Sequence, residues 1–257
     1  GGIRKTNHPH IAKGVEEFIN QHQLHRSKDL IVLVSSLSGG SGNVILSEML
    51  KKLLKTDAVV IGLVVADSTS KKYIDNSLES FITLNTVATK INPLPVLYFN
   101  NKVYQKNFDS DKVKMANKDI LTVMNTLSIF TSGLNKDIDD KDMEFLFKPQ
   151  HYNVRKGIYG LSVGKCELNE KELHDKRALL GRTLLAPEAE AISPLANYGL
   201  LQYKEGRTNA HIEDVDHIDI LLTDDLDNLY ASLEEDKNNF VQVKSKSAIP
   251  VEEDEFA

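Results

Sequence analysis

The stretch Leu30-Ile31-Val32-Leu33-Val34-Ser35-Ser36-Leu37-Ser38-Gly39-Gly40-Ser41-Gly42-Asn43 divides into two textures. Its first five residues form a continuous apolar run rich in β-branched side chains, the pattern of a strand buried on both faces of a parallel sheet. Its last six are small and polar, and three of them are glycine. Val44, Ile45, Met49, Leu50, Leu53 and Leu54 come next with helical spacing. The predicted unit is strand, glycine-rich turn, helix.

The same unit repeats outward from this point. Ile11, Val15, Phe18 and Ile19 predict an amphipathic helix over residues 10–24. Downstream, Ala58 to Val65 predicts a second strand, and Leu78, Phe81, Ile82, Leu84 and Val87 predict the helix after it. A third strand, Leu94 to Phe99, precedes a longer helix from about Asp111 to Phe130. Strands alternating with helices through right-handed crossovers give a doubly wound parallel α/β sheet. After Gly133 the apolar runs shorten, at 158–163, 198–203 and 216–222, with a helix near 225–236. The expected division is a nucleotide-binding-type domain with its long core helix over 1–133, a smaller α+β domain over 134–240 and an acidic tail over 241–257.

A glycine-rich turn between a buried strand and a helix is where open α/β sheets hold phosphates. Backbone N–H groups without a bulky side chain approach the anion, and the helix N-terminus adds partial positive charge. Segment 38–43 has the right context but neither familiar fingerprint. It has no G-x-x-x-x-G-K-[ST] lysine, and the position three residues beyond Gly42 is Ile45, not glycine. Composition leaves an ordinary βα loop open as the alternative.

Further on, the long helix ends in Ser132-Gly133-Leu134-Asn135, and the next segment is Asp137-Ile138-Asp139-Asp140-Lys141-Asp142-Met143. Together the two motifs resemble the tubulin/FtsZ family. Segment 38–44 is similar to its G-G-G-T-G-S-G signature, and more closely to the G-G-G-S-G-S-V form of phage-encoded tubulins. The acidic segment resembles the synergy loop at the end of the family's core helix. With Ile138 and Met143 as flanks, its paired acids fall at Asp139 and Asp142; a second register pairs Asn135, Asp137 and Asp140. Leu63 to Thr69 resembles the ribose-side loop, Phe99-Asn100-Asn101 the loop after the next strand, and Ala116-Asn117-Lys118 the start of the core helix. The resemblance covers residues 1–165 on motifs, and 166–257 on element order and the acidic tail alone.

The resemblance implies a GTPase that polymerises head to tail, with GTP/GDP and Mg2+ as cofactors. Ser38, Gly39, Gly40, Ser41, Gly42 and Asn43 would cradle the phosphates, with the Ser38 and Ser41 hydroxyls as added donors. Asp67 would face the ribose, and Asn101 and Asn117 the base. Asp139 and Asp142 would enter the nucleotide pocket of the next subunit and polarise the attacking water. Filaments of this kind would position or segregate phage DNA or particles in a host cytoplasm, through a DNA- or capsid-associated adaptor. A non-catalytic protein with the same fold is the alternative. Gly1 to Lys5 resembles the family's loop near the γ-phosphate, so the match begins in mid-domain. A chain of this extent is expected to lack the family's first strands, to expose a sheet edge and to bind GTP poorly by itself.

The wider composition narrows the classes. Among 257 residues, 31 Lys+Arg against 37 Asp+Glu give a net charge of −6, which disfavours a general nucleic-acid binder. The single cysteine, Cys166, leaves no internal disulfide and no thiolate metal cluster. No apolar run is long enough to span a bilayer, so a membrane location is not expected. His8, His10, His22 and His25 lack any metal-ligand spacing, and the acids from Asp214 to Asp227 lack a calcium-loop frame. Without a dinucleotide fingerprint or its ribose-binding acid, a nicotinamide enzyme is also disfavoured. Glu252, Glu253, Asp254 and Glu255 carry four of the negative charges, and the rest of the chain carries −2. By resemblance, the tail segment Glu252 to Phe256 engages a neighbouring subunit.

Overall fold

A computed structural model describes residues 4–27, 29–67, 70–100, 112–131, 137–152, 154–164, 178–185, 200–208, 216–224, 230–231, 233–235 and 237–239. The leading helix is α1 (Arg4–Gln21). Then come β1 (Leu30–Ser36), α2 (Gly40–Leu53), β2 (Val59–Ala66), α3 (Lys71–Lys90), β3 (Leu94–Asn100), α4 (Lys112–Thr131) and α5 (Asp140–Phe147). Four more strands follow among the described residues: β4 (Ile158–Gly164), β5 (Leu179–Leu184), β6 (Gln202–Arg207) and β7 (His217–Thr223). They form one seven-stranded sheet in the order β1-β2-β3-β4-β7-β5-β6. The first four strands in this order run parallel; β7 is antiparallel to both β4 and β5, and β6 is parallel to β5.

β2 shows why the apolar runs read as they do. Val60, Val64 and Ala66 face the layer of α1, α2 and α3, whereas Val59, Ile61 and Leu63 face the layer of α4 and α5. A strand with helices on both sides has no polar face, so its sequence does not alternate. β1 lies at one edge of the sheet, and Val34 is 48% exposed there. On the far half, Gly181 of β5 allows α5 to seat directly on the sheet, because a Cβ there would lie 2.8 Å from Leu146 Cδ2.

The α/β architecture and mainly parallel sheet agree with the sequence reading, and three details differ. Phe18 is not on the buried stripe of α1: it is half exposed and its ring meets that of His22 at 4.5 Å, while Val15 and Ile19 fill the core. β5 carries no long apolar run, because Gly181, Arg182 and Thr183 interrupt it, and the spacing did not predict it. The apolar run at 198–203 meets β6 only at Gln202 and Tyr203, and the strand continues through the polar residues to Arg207.

Candidate functional site

β1, β2 and β3 are parallel, so the segments leaving their C-terminal ends gather at one edge of the sheet, where open α/β folds present ligand sites. Residues 37–43 leave β1, Asp67 leaves β2, and Ala66 is in register with Asn100 at the end of β3. Leu37 N–H donates to the Val65 carbonyl at 2.8 Å, which continues the ladder past the end of β1 and fixes the base of the glycine turn.

The turn delivers the chain into α2 with Gly39 as an extended N-cap (φ −78°, ψ 150°), and no side chain closes the first turn. α3 and α5 differ: Ser70 Oγ accepts from Tyr73 N–H at 3.2 Å, and Asp139 closes α5. The first N–H groups of the 14-residue α2 thus lack a side-chain acceptor, and no acidic residue lies in its first turn. Such a helix end offers its N–H groups and its dipole to an anion.

α3 holds the turn in place. The Asn43 amide, 3% exposed, donates to Ser80 Oγ, and that hydroxyl donates to the Leu37 carbonyl at 2.6 Å. Asn76 Nδ2 donates to the Ser38 carbonyl at 3.0 Å. Ser38 Oγ shares a 2.8 Å hydrogen bond with Ser36 Oγ and is buried. The Ser38 and Asn43 side chains are therefore spent on the fold, whereas Gly39 and Gly40 are half-buried and Ser41 and Gly42 are exposed. Of the two hydroxyls expected as donors, only that of Ser41 stays at the surface.

Asp67 is half-buried beside this turn, and Asn117 is exposed near the start of α4. Asn101, Asn135 and the acidic tail lie outside the described residues.

Asp139 and Asp142 lie elsewhere. Asp139 Oδ1 accepts from the N–H groups of Lys141 and Asp142, each at 2.9 Å, and Asp142 Oδ2 accepts from Asp139 N–H at 3.3 Å. This reciprocal capping box starts α5. Lys204 of β6 pairs with Asp142 Oδ2 at 3.1 Å. The Asp142 N–H bond, with that of Lys141 and the nearby ammonium groups, holds the Asp139 carboxyl below the usual range. Asp137 and Asp140 are exposed. At its other end α5 is tied by the Lys148 ammonium to the carbonyl of Asp57, just before β2. The glycine turn leads into the α1–α3 layer from the strands' C-terminal edge. The acids begin a helix of the opposite layer that ends under their N-terminal edge. One chain does not bring these two groups together.

Sequence reading did not single out Ser36, Asn76, Ser80 or Lys204. A usable signal existed for Ser80: with Ser77 it occupies an apolar-facing side of α3, and both are fully buried. Among the described residues no group of three His, Cys, Asp or Glu is placed to hold a metal ion, and no helix is long and apolar enough to cross a membrane.

No protein-family profile matches this sequence, and no curated protein matches it. Solved structures do. A protofilament of TubZ from bacteriophage PhiKZ aligns with 98% of this chain and 78% of its own, at 19% identity and a TM-score of 0.76. The PhuZ201 filament aligns with 96% of this chain and 77% of its own, at 16% identity and a TM-score of 0.77. The phage tubulin PhuZ solved with GDP aligns with 97% of this chain and 77% of its own, at 19% identity and a TM-score of 0.72. Agreement over nearly the whole chain, on a structure that already shows the glycine turn and the core helix in their places, means that this chain has the tubulin/FtsZ fold.

Proposed function

We propose that the chain is a tubulin-like GTPase that assembles head to tail into filaments and completes GTP hydrolysis at the contact between subunits. The observation that carries this reading is the separation of the two motifs: an anion-ready helix start at one edge of the sheet, and paired acids on the opposite layer. Groups that must meet for chemistry but cannot meet within one chain require a second copy, and a head-to-tail contact of this kind propagates as an open filament. The fold neighbours support it, since two are solved as a protofilament and a filament and a third with GDP.

In this reading the N–H groups of Gly40, Ser41 and Gly42 and the Ser41 hydroxyl hold phosphate oxygens, while Ser38 and Asn43 fix the turn through α3. Asp67 accepts from the ribose hydroxyls and Asn117 reads the guanine edge, for which an amide supplies both donor and acceptor. Asn101 is proposed beside it on the motif alone. The nucleotide supplies the scissile phosphoanhydride, and Mg2+ would offset its charge. Asp139 and Asp142, or Asp137 and Asp140 in the other register, orient the attacking water of the neighbouring copy. The proposed setting is a cytoplasm, with a DNA- or capsid-linked adaptor as cargo handle and segment 252–256 reaching a neighbour. Division into units at 1–133, 134–240 and 241–257 remains part of this proposal.

A second reading has its own observation. Both acids of the preferred register are used structurally, in a capping box and an ion pair with Lys204. A non-catalytic filament or partner-binding protein of the same fold needs no more of them than that. Sedimentation and phosphate release with GTP separate the two, for the wild type and for Asp139→Ala/Asp142→Ala. The enzyme reading expects filaments that turn over in the wild type and persist in the variant. Equal phosphate release from both would overturn it for this register.

A further inference from the structure

A lysine beside the start of a helix is poorly placed for stability, because the helix dipole presents its positive end there. Lys204 takes that position next to α5. Its strand, β6, is the last in the sheet order, and Lys204 is in register with Gly181, on which Leu146 of α5 sits. Asp142 lies one turn before Leu146 on the same side of α5, and its Oδ2 meets the Lys204 ammonium at 3.1 Å. The pair is open to water, with the lysine side chain 41% exposed and the aspartate 22%, so it adds little to folding. An ammonium has three N–H donors. Asp142 occupies one, and among the described residues the other two have no partner. Asp139 Oδ2 likewise has no hydrogen bond among them, since Oδ1 takes both capping N–H groups. An unpartnered carboxylate oxygen and a cation with donors to spare share one surface.

The glycine turn lacks what this surface carries. From Ser35 to Leu50 the chain holds no Lys or Arg, so this stretch offers phosphates N–H groups and hydroxyls but no cationic side chain. The acids add to the deficit. Asp137, Asp139, Asp140 and Asp142 against Lys141 give the start of α5 three excess negative charges. Bringing them to a polyphosphate is electrostatically unfavourable, and more so as water leaves the contact. Lys204 is already held where it offsets part of that charge.

We infer that Lys204 enters the nucleotide site of the neighbouring copy together with Asp139 and Asp142, and there offsets the charge on the γ-phosphate. The role rests on the assembly reading and adds a residue to it. In the step, a water oxygen bonds to the γ-phosphorus, and the bond from that phosphorus to the β–γ bridging oxygen breaks. GDP leaves with the electron pair, and one water proton passes through the Asp139 carboxylate to solvent. Lys204 stays protonated throughout. Its charge counts most in the transition state, where negative charge is spread over the γ-phosphoryl and bridging oxygens. A lysine supplied by the next copy makes hydrolysis wait for a neighbour, as the acids do.

The test compares full-chain wild type, Lys204→Met and Lys204→Arg, with melting temperature as the control for folding. Sedimentation gives the assembly threshold with GTPγS, and with GDP in polyethylene glycol. Lys204→Met should raise the threshold about tenfold with GTPγS and leave it unchanged with GDP, which has no γ-phosphate. Lys204→Arg keeps the charge and should keep most of the wild-type value. A shift that is absent, or equal with both nucleotides, makes Lys204 a structural contact and overturns the inference. Phosphate release per sedimented subunit should fall about 10²–10³-fold in Lys204→Met. Lys204→Met is then mixed with Ser41→Glu, whose phosphate site is blocked and whose Lys204 is intact. Neither should turn over alone. In mixed filaments about a quarter of the contacts join an intact site to an intact lysine, so release should return. No recovery with both proteins in the sediment overturns supply between copies. Unchanged release in Lys204→Met beside an active wild type overturns the inference and spares the assembly reading. A wild type that neither sediments nor releases phosphate overturns both.

Discussion

Asn43 at the start of α2 donates its amide to Ser80 of α3, and Ser80 donates onward to the Leu37 carbonyl at 2.6 Å, so one hydroxyl ties both arms of the glycine turn to the neighbouring helix. Glycines give a backbone freedom that a binding turn cannot use until something removes it. Here α3 removes it, from a buried position behind the turn, while Ser41 and Gly42 stay in contact with solvent.

Ser80→Ala tests that arrangement. It strands the Asn43 amide and the Leu37 carbonyl in a buried site, at about 1–3 kcal/mol of folding stability. Denaturant unfolding should show the loss. Nucleotide affinity, by calorimetry, should fall further than the folding change accounts for, because the turn also loses its shape. An affinity that does not move would mean that the turn is not the binding element.

Ser41→Glu should separate folding from binding by sign. A carboxylate in the open first turn of α2 meets the unpaired N–H groups and adds about 0.3–1 kcal/mol through the helix dipole. The melting temperature should rise, while the same charge occupies the place proposed for phosphate and repels it. A stabilised protein that binds GTP less well is the expected pair of results.

These residues also mark the limit of what the sequence could disclose. β2 and β3 were legible because strands covered on both faces carry unbroken apolar runs; β1 carries the same kind of run, but at the sheet edge it is only partly covered, with Leu33 buried and Val34 48% exposed. The turn was legible as a turn because glycine and serine interrupt both the strand and the helix pattern on either side of it. β5 was not, since Arg182 sits in it and is acceptable only because Asp219, 37 positions away, meets it across the sheet. The anchoring role of Ser80 was hidden for the same reason: its partners are 37 and 43 positions distant. Spacing within one element reports which side is apolar, but not which buried polar group has found a partner.

Asp139→Asn distinguishes capping from catalysis. Asparagine caps a helix about as well as aspartate, so α5 should keep its start and the melting temperature should change little. If the carboxylate orients water, phosphate release in assembled protein should drop by orders of magnitude. Asp137→Asn/Asp140→Asn is the matched control, and whichever pair silences turnover with the fold intact identifies the register.

Arg182 and Asp219 form a buried two-point ion pair, Nε to Oδ1 at 2.6 Å and Nη2 to Oδ2 at 2.9 Å. Arg182→Met alone should cost about 3–5 kcal/mol by leaving the carboxylate buried without its cation. Arg182→Met/Asp219→Leu should recover most of that, as two apolar groups across β5 and β7 need no pairing. A double variant no better than the single one would show that the surrounding polar groups, Tyr203, Glu205 and His217, depend on the pair.

Acid should loosen α1 from α2 before it melts the sheet. Glu48 accepts from His8 Nε2 at 2.9 Å and from Lys51 Nζ at 2.5 Å. Burial opposes its charge, but the Lys51 bond and charge and those of His8 outweigh that, so its carboxyl titrates below the usual glutamate value. A carboxyl depressed on folding adds stability that is full above its unfolded value, about 4.3–4.5, and fades as pH falls through its lower folded value. Below about pH 4.5 the contribution declines. Hydrogen exchange on α1 should accelerate in that lower window ahead of β2, and Glu48→Gln should make α1 exchange fast at neutral pH and remove its acid dependence. An α1 that exchanges at the same rate in Glu48→Gln as in wild type would place the α1–α2 joint in the apolar contacts of Val15 and Ile19 instead.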